Sequence, residues 1–182
     1  MAEKKQSLAS VGIAVLICAV VTWIFWEDVQ YFMQGPDPIY LGTIGETELA
    51  AITPNRLVKI AGIADPRLQY AEASGRTYRY FILLGTKILV EQQVENARTG
   101  GELKPFKYSG EGRILRLVET LKYDALLKHF KDSLRLDLKD EGYILHHGFR
   151  PRDAWPYFGG VCLTIVVVVL SIIRHVVITR ED

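Results

Sequence analysis

TYRYFILLGTKILVEQQ, residues 77 to 93, sets two runs of strand-forming residues on either side of Gly85-Thr86. Gly supplies the positive φ that a tight reversal needs, and β-branched and aromatic residues suit a half-buried pleated surface. The stretch predicts a β-hairpin, and a hairpin this apolar has to sit in a larger sheet.

Working outward, RLVKIAGIA at 56–64 alternates and stops at Asp65-Pro66, which predicts a second strand pair partner. FKYSGEGRILRLV at 106–118 predicts a long strand, with Gly110 and Gly112 marking a bulge or sharp bend. YDALLKHFKDSL at 123–134 changes period. Leu126, Leu127, Phe130 and Leu134 fall at helical spacing, with Lys128, Lys131 and Asp132 on another face. GYILHH at 142–147 predicts a last short strand. ETELAAI at 46–52 predicts one or two helical turns, QGPDPIYLGTIG at 34–45 a connector, and NARTGGEL at 96–103 an exposed loop. Together these predict a β-rich α+β domain: a small curled antiparallel sheet or an OB-like partial barrel with one helix.

The two strongest apolar runs flank this domain. LASVGIAVLICAVVTWIFW, Leu8 to Trp26, and YFGGVCLTIVVVVLSII, Tyr157 to Ile173, carry no charge. Each has about the length of the roughly 20 residues a helix needs to cross a bilayer. Lys4 and Lys5 precede the first run as they would in a signal peptide, but Trp23, Phe25, Trp26 and Glu27 follow it instead of a small-x-small cleavage site, so a retained anchor is expected. The chain is therefore read as a membrane protein with two transmembrane helices: a tail at 1–7, a first span at 8–26, a connector at 27–45, the β-rich domain at 46–153, a second span at 154–174 and a tail at 175–182.

Aromatic rings locate the water boundaries. Trp23 and Trp26 close the first span, Trp155 and Tyr157 open the second, and such rings favour the headgroup zone. Arg150 and Arg152, just before the second belt, are expected to anchor on lipid phosphates. Lys4, Lys5, Arg174 and Arg180 at the outer ends favour cytoplasmic termini and an extracytoplasmic domain, as in a protein of the bacterial inner membrane. Both cysteines, Cys18 and Cys162, lie in the spans, so the domain between must hold together without disulfides. The central segment 27–156 has as many acids as bases, which argues against a nucleic-acid footprint.

Candidate chemistry is sparse. His146-His147 invites a metal or haem reading, but in a strand neighbouring side chains point to opposite faces, and neither His129 nor any Cys completes a ligand set. No metal site and no cofactor are expected, with His146 and His147 the weak candidates. Gly110-x-Gly112 lacks a third glycine and precedes a strand, not a helix, and no serine has a G-x-S-x-G setting. The carboxylates alternate with Lys and Arg as on a solvated face. The more informative pattern is Ser10, Ala14, Cys18 and Thr22, small residues every fourth position, with Gly160 and Thr164 a looser counterpart; such faces let helices approach closely in lipid. They fit packing of the two spans on each other, or docking against a membrane-protein partner or a second copy.

The layout of tail, span, external β-rich domain and closing span resembles that of the surfeit-locus cytochrome-oxidase assembly proteins, with TKILVEQQ at 86–93 similar to that family's central strand. The resemblance implies a haem-handling or oxidase-assembly role, and His175 is the residue to compare with haem-linked positions. The leading expectation is broader: a non-enzymatic accessory or assembly subunit of a larger membrane complex. An envelope hydrolase acting through carboxylates is the third reading.

Overall fold

In the computed structural model, the hairpin at Gly85 forms as the sequence predicts and belongs to a seven-stranded sheet. The structure describes residues 2–44, 52–65, 67, 69–73, 75–94, 104–117, 123–135, 138 and 142–180. The expected loop at 96–103 and most of the expected turns at 46–52 lie outside these. The described chain forms two compact units, 35–150 and the paired termini 1–34 with 151–182.

The first unit contains β1 (Ile39–Thr43), β2 (Arg56–Ala64), β3 (Gln69–Ala73), β4 (Arg76–Ile82), β5 (Ile88–Val94), β6 (Phe106–Arg116), α1 (Asp124–Leu134) and β7 (Tyr143–His147). The strand order is β1-β2-β6-β7-β5-β4-β3. β1 with β2 and β5 with β7 are parallel and the other pairs antiparallel. The expected antiparallel sheet is thus corrected to a mixed one. β7 enters beside β5 after α1 has crossed over, which gives it the direction of β5 and leaves it antiparallel to β6. The sheet also curls far enough for a bridge between Ala64 at the end of β2 and Leu83 just past β4. Asp65 N–H donates to the Ile82 carbonyl and Leu84 N–H to that of Ile63.

Alternation sorts the side chains into two cores. Val58, Ile60, Phe81, Leu83, Ile88, Val90, Tyr108, Ile114 and Leu145 meet inside the curl. Tyr80, Ile82, Leu89 and Ile144 project from the other face and are covered by Leu127 and Phe130 of α1, with Tyr123 and Leu138 beside them. β5 and β7 are buried on both faces, which is why ILV and YIL read as continuous apolar runs and not as alternation.

Two strands escape the sequence pattern. β1 lies inside the expected connector, and β3, QYAEA, is too short and polar to register; both are edge strands. No bulge interrupts β6: its register with β2 runs unbroken from Arg56 opposite Ile114 to Ala64 opposite Phe106. Gly110 and Gly112 serve close approach instead. A Cβ at Gly112 would lie 2.0 Å from the His146 carbonyl oxygen, and one at Gly110 2.3 Å from the Tyr108 hydroxyl.

In the second unit, a helix αN (Ala2–Ile24) is followed at Phe25 by a short helix αN′ (Trp26–Phe32), and a 3-10 turn (Pro151–Ala154) leads into αC (Trp155–Arg180). Residues 151–177 are long and apolar enough to cross a membrane; among the described residues the N-terminal helix passes the same test only jointly with αN′, to which it is bent by 64°. The expected span at 8–26 is therefore a helix broken at its aromatic end, and the expected span at 154–174 is extended.

Candidate functional site

β7 decides where the histidines go. Tyr143, Leu145 and His147 face the inner core, while Ile144 and His146 face α1, so the adjacent imidazoles part company. Tyr123 donates to Glu91 Oε2 at 2.7 Å and Tyr80 to the same oxygen at 3.0 Å. His146 Nε2 lies 3.0 Å from the Tyr123 hydroxyl. A phenol has one proton and Tyr123 gives its own to the carboxylate, so Nε2 of His146 must be the protonated nitrogen. Burial first, then the charge of Glu91, pushes both tyrosine hydroxyls far above their usual range.

His147 is held differently. Its Nδ1 lies 2.9 Å from the hydroxyl of Tyr108, a buried phenol. No buried polar side-chain atom among the described residues is left without a partner. If the phenol proton goes to Nδ1, His147 is neutral with its proton on Nε2. Burial, and next the charge of Arg79, hold its pKa below the ordinary value, with Glu111 pulling the other way. Arg79 itself bonds through Nε (2.9 Å) and Nη2 (2.8 Å) to Gln92 Oε1, its cross-strand partner, and lies 5.5 Å from the Phe81 ring centre and 5.6 Å from that of Phe106.

β7 is short, and this shapes the site. It covers β6 only from Gly112 to Arg116 and β5 only from Ile88 to Glu91, so Phe106–Gly110 and Gln92–Val94 have no β7 residue between them. At this open stretch His147 lines a shallow groove with Lys59, Ser109, Gly110, Glu111, Gly148 and Arg150. Arg150 is engaged there with Glu111 at 2.5 Å.

In the helical unit, Cys18 and Thr164 come together: the hydroxyl donates to the Val161 carbonyl at 2.8 Å, and its oxygen lies 3.5 Å from the Cys18 sulfur. The less exposed positions are Val11, Ala14, Cys18 and Val21 on αN and Val161, Thr164, Val168 and Ser171 on αC. Three-four alternation is the spacing of side chains interlocking along a helix seam. Ala14, Cys18 and Thr22 lie on or beside this seam; Ser10 and Gly160 are exposed away from it. Trp23, Trp26, Trp155, Tyr157 and Arg152 are exposed, and Phe25 packs on Tyr157 and Phe32 on Phe158, with ring centres 5.4 and 4.7 Å apart. His175 sits half-buried on αC. No group of three or more metal-ligating side chains occurs among the described residues.

Sequence reasoning passed over Arg79, Tyr80, Glu91, Tyr108 and Tyr123. One signal was there: a hairpin symmetric about Gly85-Thr86 puts Tyr80 opposite Glu91 and Arg79 opposite Gln92. No family model matches the chain, and neither the curated proteins nor the solved structures contain a match.

Proposed function

We propose that this protein is a membrane-anchored, non-enzymatic accessory or assembly subunit of a larger membrane complex, held by two spans, αN and αC, with the domain between them extracytoplasmic. The observation that carries this reading is the helical unit's surface. Outside its narrow seam, Ile13, Leu16, Ile17, Leu163, Val166 and Leu170 are all exposed, and only lipid or other apolar helices can cover such a surface in a cell. The bend at Phe25 then marks the aromatic boundary of the first span, with αN′ outside the hydrocarbon.

For the domain we propose an OB-type barrel. Five strands in the cyclic order β2-β4-β5-β7-β6, with β5 and β7 parallel, the bridge at Ala64–Leu83 and a helix packed outside support it. Its buried carboxylate and imidazoles are spent on tyrosine hydrogen bonds, which suits a scaffold. The test is purification of the tagged chain in mild detergent from its native membrane, with mass spectrometry of co-eluting chains and an absorbance scan. A stoichiometric membrane-protein partner is the expected result. A lone chain with a Soret band would replace this reading with a haem-handling one.

A further inference from the structure

Arg79 is a half-buried guanidinium with no carboxylate partner among the described residues. Its Nε and one Nη2 hydrogen are fixed on the neutral amide of Gln92, and its plane is steadied over Phe81 and Phe106. The fork still offers the second Nη2 hydrogen and both on Nη1, the geometry that receives two oxygens of one anion. Such a cation, partly withdrawn from water and without an acid partner among the described residues, gains from a counter-charge. Two exposed guanidiniums of the same unit do have acid partners: Arg67 has Asp65 and Arg150 has Glu111. The neighbouring imidazole of His147 is no anion, and β7 ends there, leaving no β7 residue between Gln92–Val94 and Phe106–Gly110.

We propose that the open side of the barrel at Arg79 is a binding site for an oxyanion, a carboxylate or phosphate group, received by the free edge of the guanidinium with Phe106 as its apolar wall and His147 at its side. The site belongs to the domain and is independent of what the helices bind. Glu111, whose charge reaches His147, is paired with Arg150 on the groove.

The experiment uses the full chain in detergent micelles at constant ionic strength. The ring resonances of His147, assigned by loss in His147→Gln, are followed through a pH titration with and without millimolar inorganic phosphate, and again with acetate. An anion beside Arg79 offsets the charge that depresses His147, so its midpoint should rise by about half a unit. Acetate acting alone identifies a carboxylate site, and phosphate acting alone a phosphate site. The rise should vanish in Arg79→Gln and persist in Lys59→Gln. If Arg79→Gln does not fold, Arg79→Lys keeps a charge without the fork and should weaken binding roughly tenfold. No rise with either anion, an equal rise in Arg79→Gln, or undiminished affinity in Arg79→Lys would each overturn the proposal.

Discussion

Glu91 shows at the scale of one residue how a buried charge is made tolerable. Two phenols donate to the same carboxylate oxygen, and one of them accepts from His146 in turn, so every group in the chain has its proton placed. Tyr123→Phe takes the central hydroxyl away and leaves both neighbours short of a partner, and should cost about 1–3 kcal/mol in denaturant unfolding. An unchanged midpoint would mean that water or a rotated side chain replaces it. The raised pKa of Tyr80 and Tyr123 means that their contribution is whole below the free value of 10.0 and is lost as pH climbs beyond it. Asp65 behaves in the opposite sense. Arg67 grips both its oxygens, at 2.8 and 2.6 Å, and donates a backbone N–H as well, which lowers the carboxyl pKa. A depressed pKa gives stability that is present above the free value of 3.8 and disappears as pH falls through the folded one. Asp65→Asn should therefore be less stable at neutral pH, by about 1 kcal/mol, and flatter in its acid dependence below pH ~4. Thermal melts between pH 7 and 3 read both, and parallel curves for the two proteins would refute the assignment. Of this chemistry the sequence shows the pieces but not the pairing: Tyr123 and His146 are 23 positions apart and meet only because α1 lies on β7.

Elements were legible where their period was strong and obscure where burial failed to impose one. The hairpin, β2, β6, α1 and β7 each carry a pattern that two buried faces or one amphipathic face dictates. β1 and β3 carry none, because an edge strand is stabilised by backbone pairing alone on one side. The glycines of β6 were misread for a related reason: a bulge and a close approach both call for Gly, and only the neighbouring strand distinguishes them. Gly112→Ala forces β6 away from a backbone carbonyl, whereas Gly110→Ala presses on side-chain ends that can turn aside. Both should destabilise, the former by about 3 kcal/mol or more and the latter by about 1 kcal/mol. Unfolding midpoints in the reverse order would show that β7 yields more easily than the Tyr108–His147 pair. The helix seam has a sharper test. Thr164→Cys in a Cys162→Ser background sets a second thiol against Cys18, where the present side-chain tips are 3.5 Å apart. Mild oxidation should then block both thiols to maleimide labelling, while Cys162 itself, exposed on αC, should not pair with Cys18.

Over the whole molecule, apolar residues are disposed in two ways. In 35–150 most of the described ones point inward, into the curl or beneath α1; in the helices of the other unit they point outward along most of each circumference. Sequence could announce this division because uncharged runs of such length stand out against a central segment dense in acids and bases. It could not announce the curl, which depends on a bridge between residues 64 and 83 and on β7 inserting between β5 and β6. If the division is physical, the domain carries its own folding energy. Its buried side chains are supplied by its own strands and helix, and its termini at Gly35 and Arg150 lie outside the strands. The excised segment 35–150 should then stay soluble without detergent and unfold in a single cooperative transition, with midpoint within a few degrees of that of the domain in the full chain. The full chain should require detergent to remain monodisperse, because its helices retain exposed Trp23, Ile13 and Leu163. Calorimetry and near-ultraviolet dichroism on the two preparations decide it: an excised segment lacking fixed tyrosine signals would mean that the helical unit is part of the domain's stability and not only its anchor.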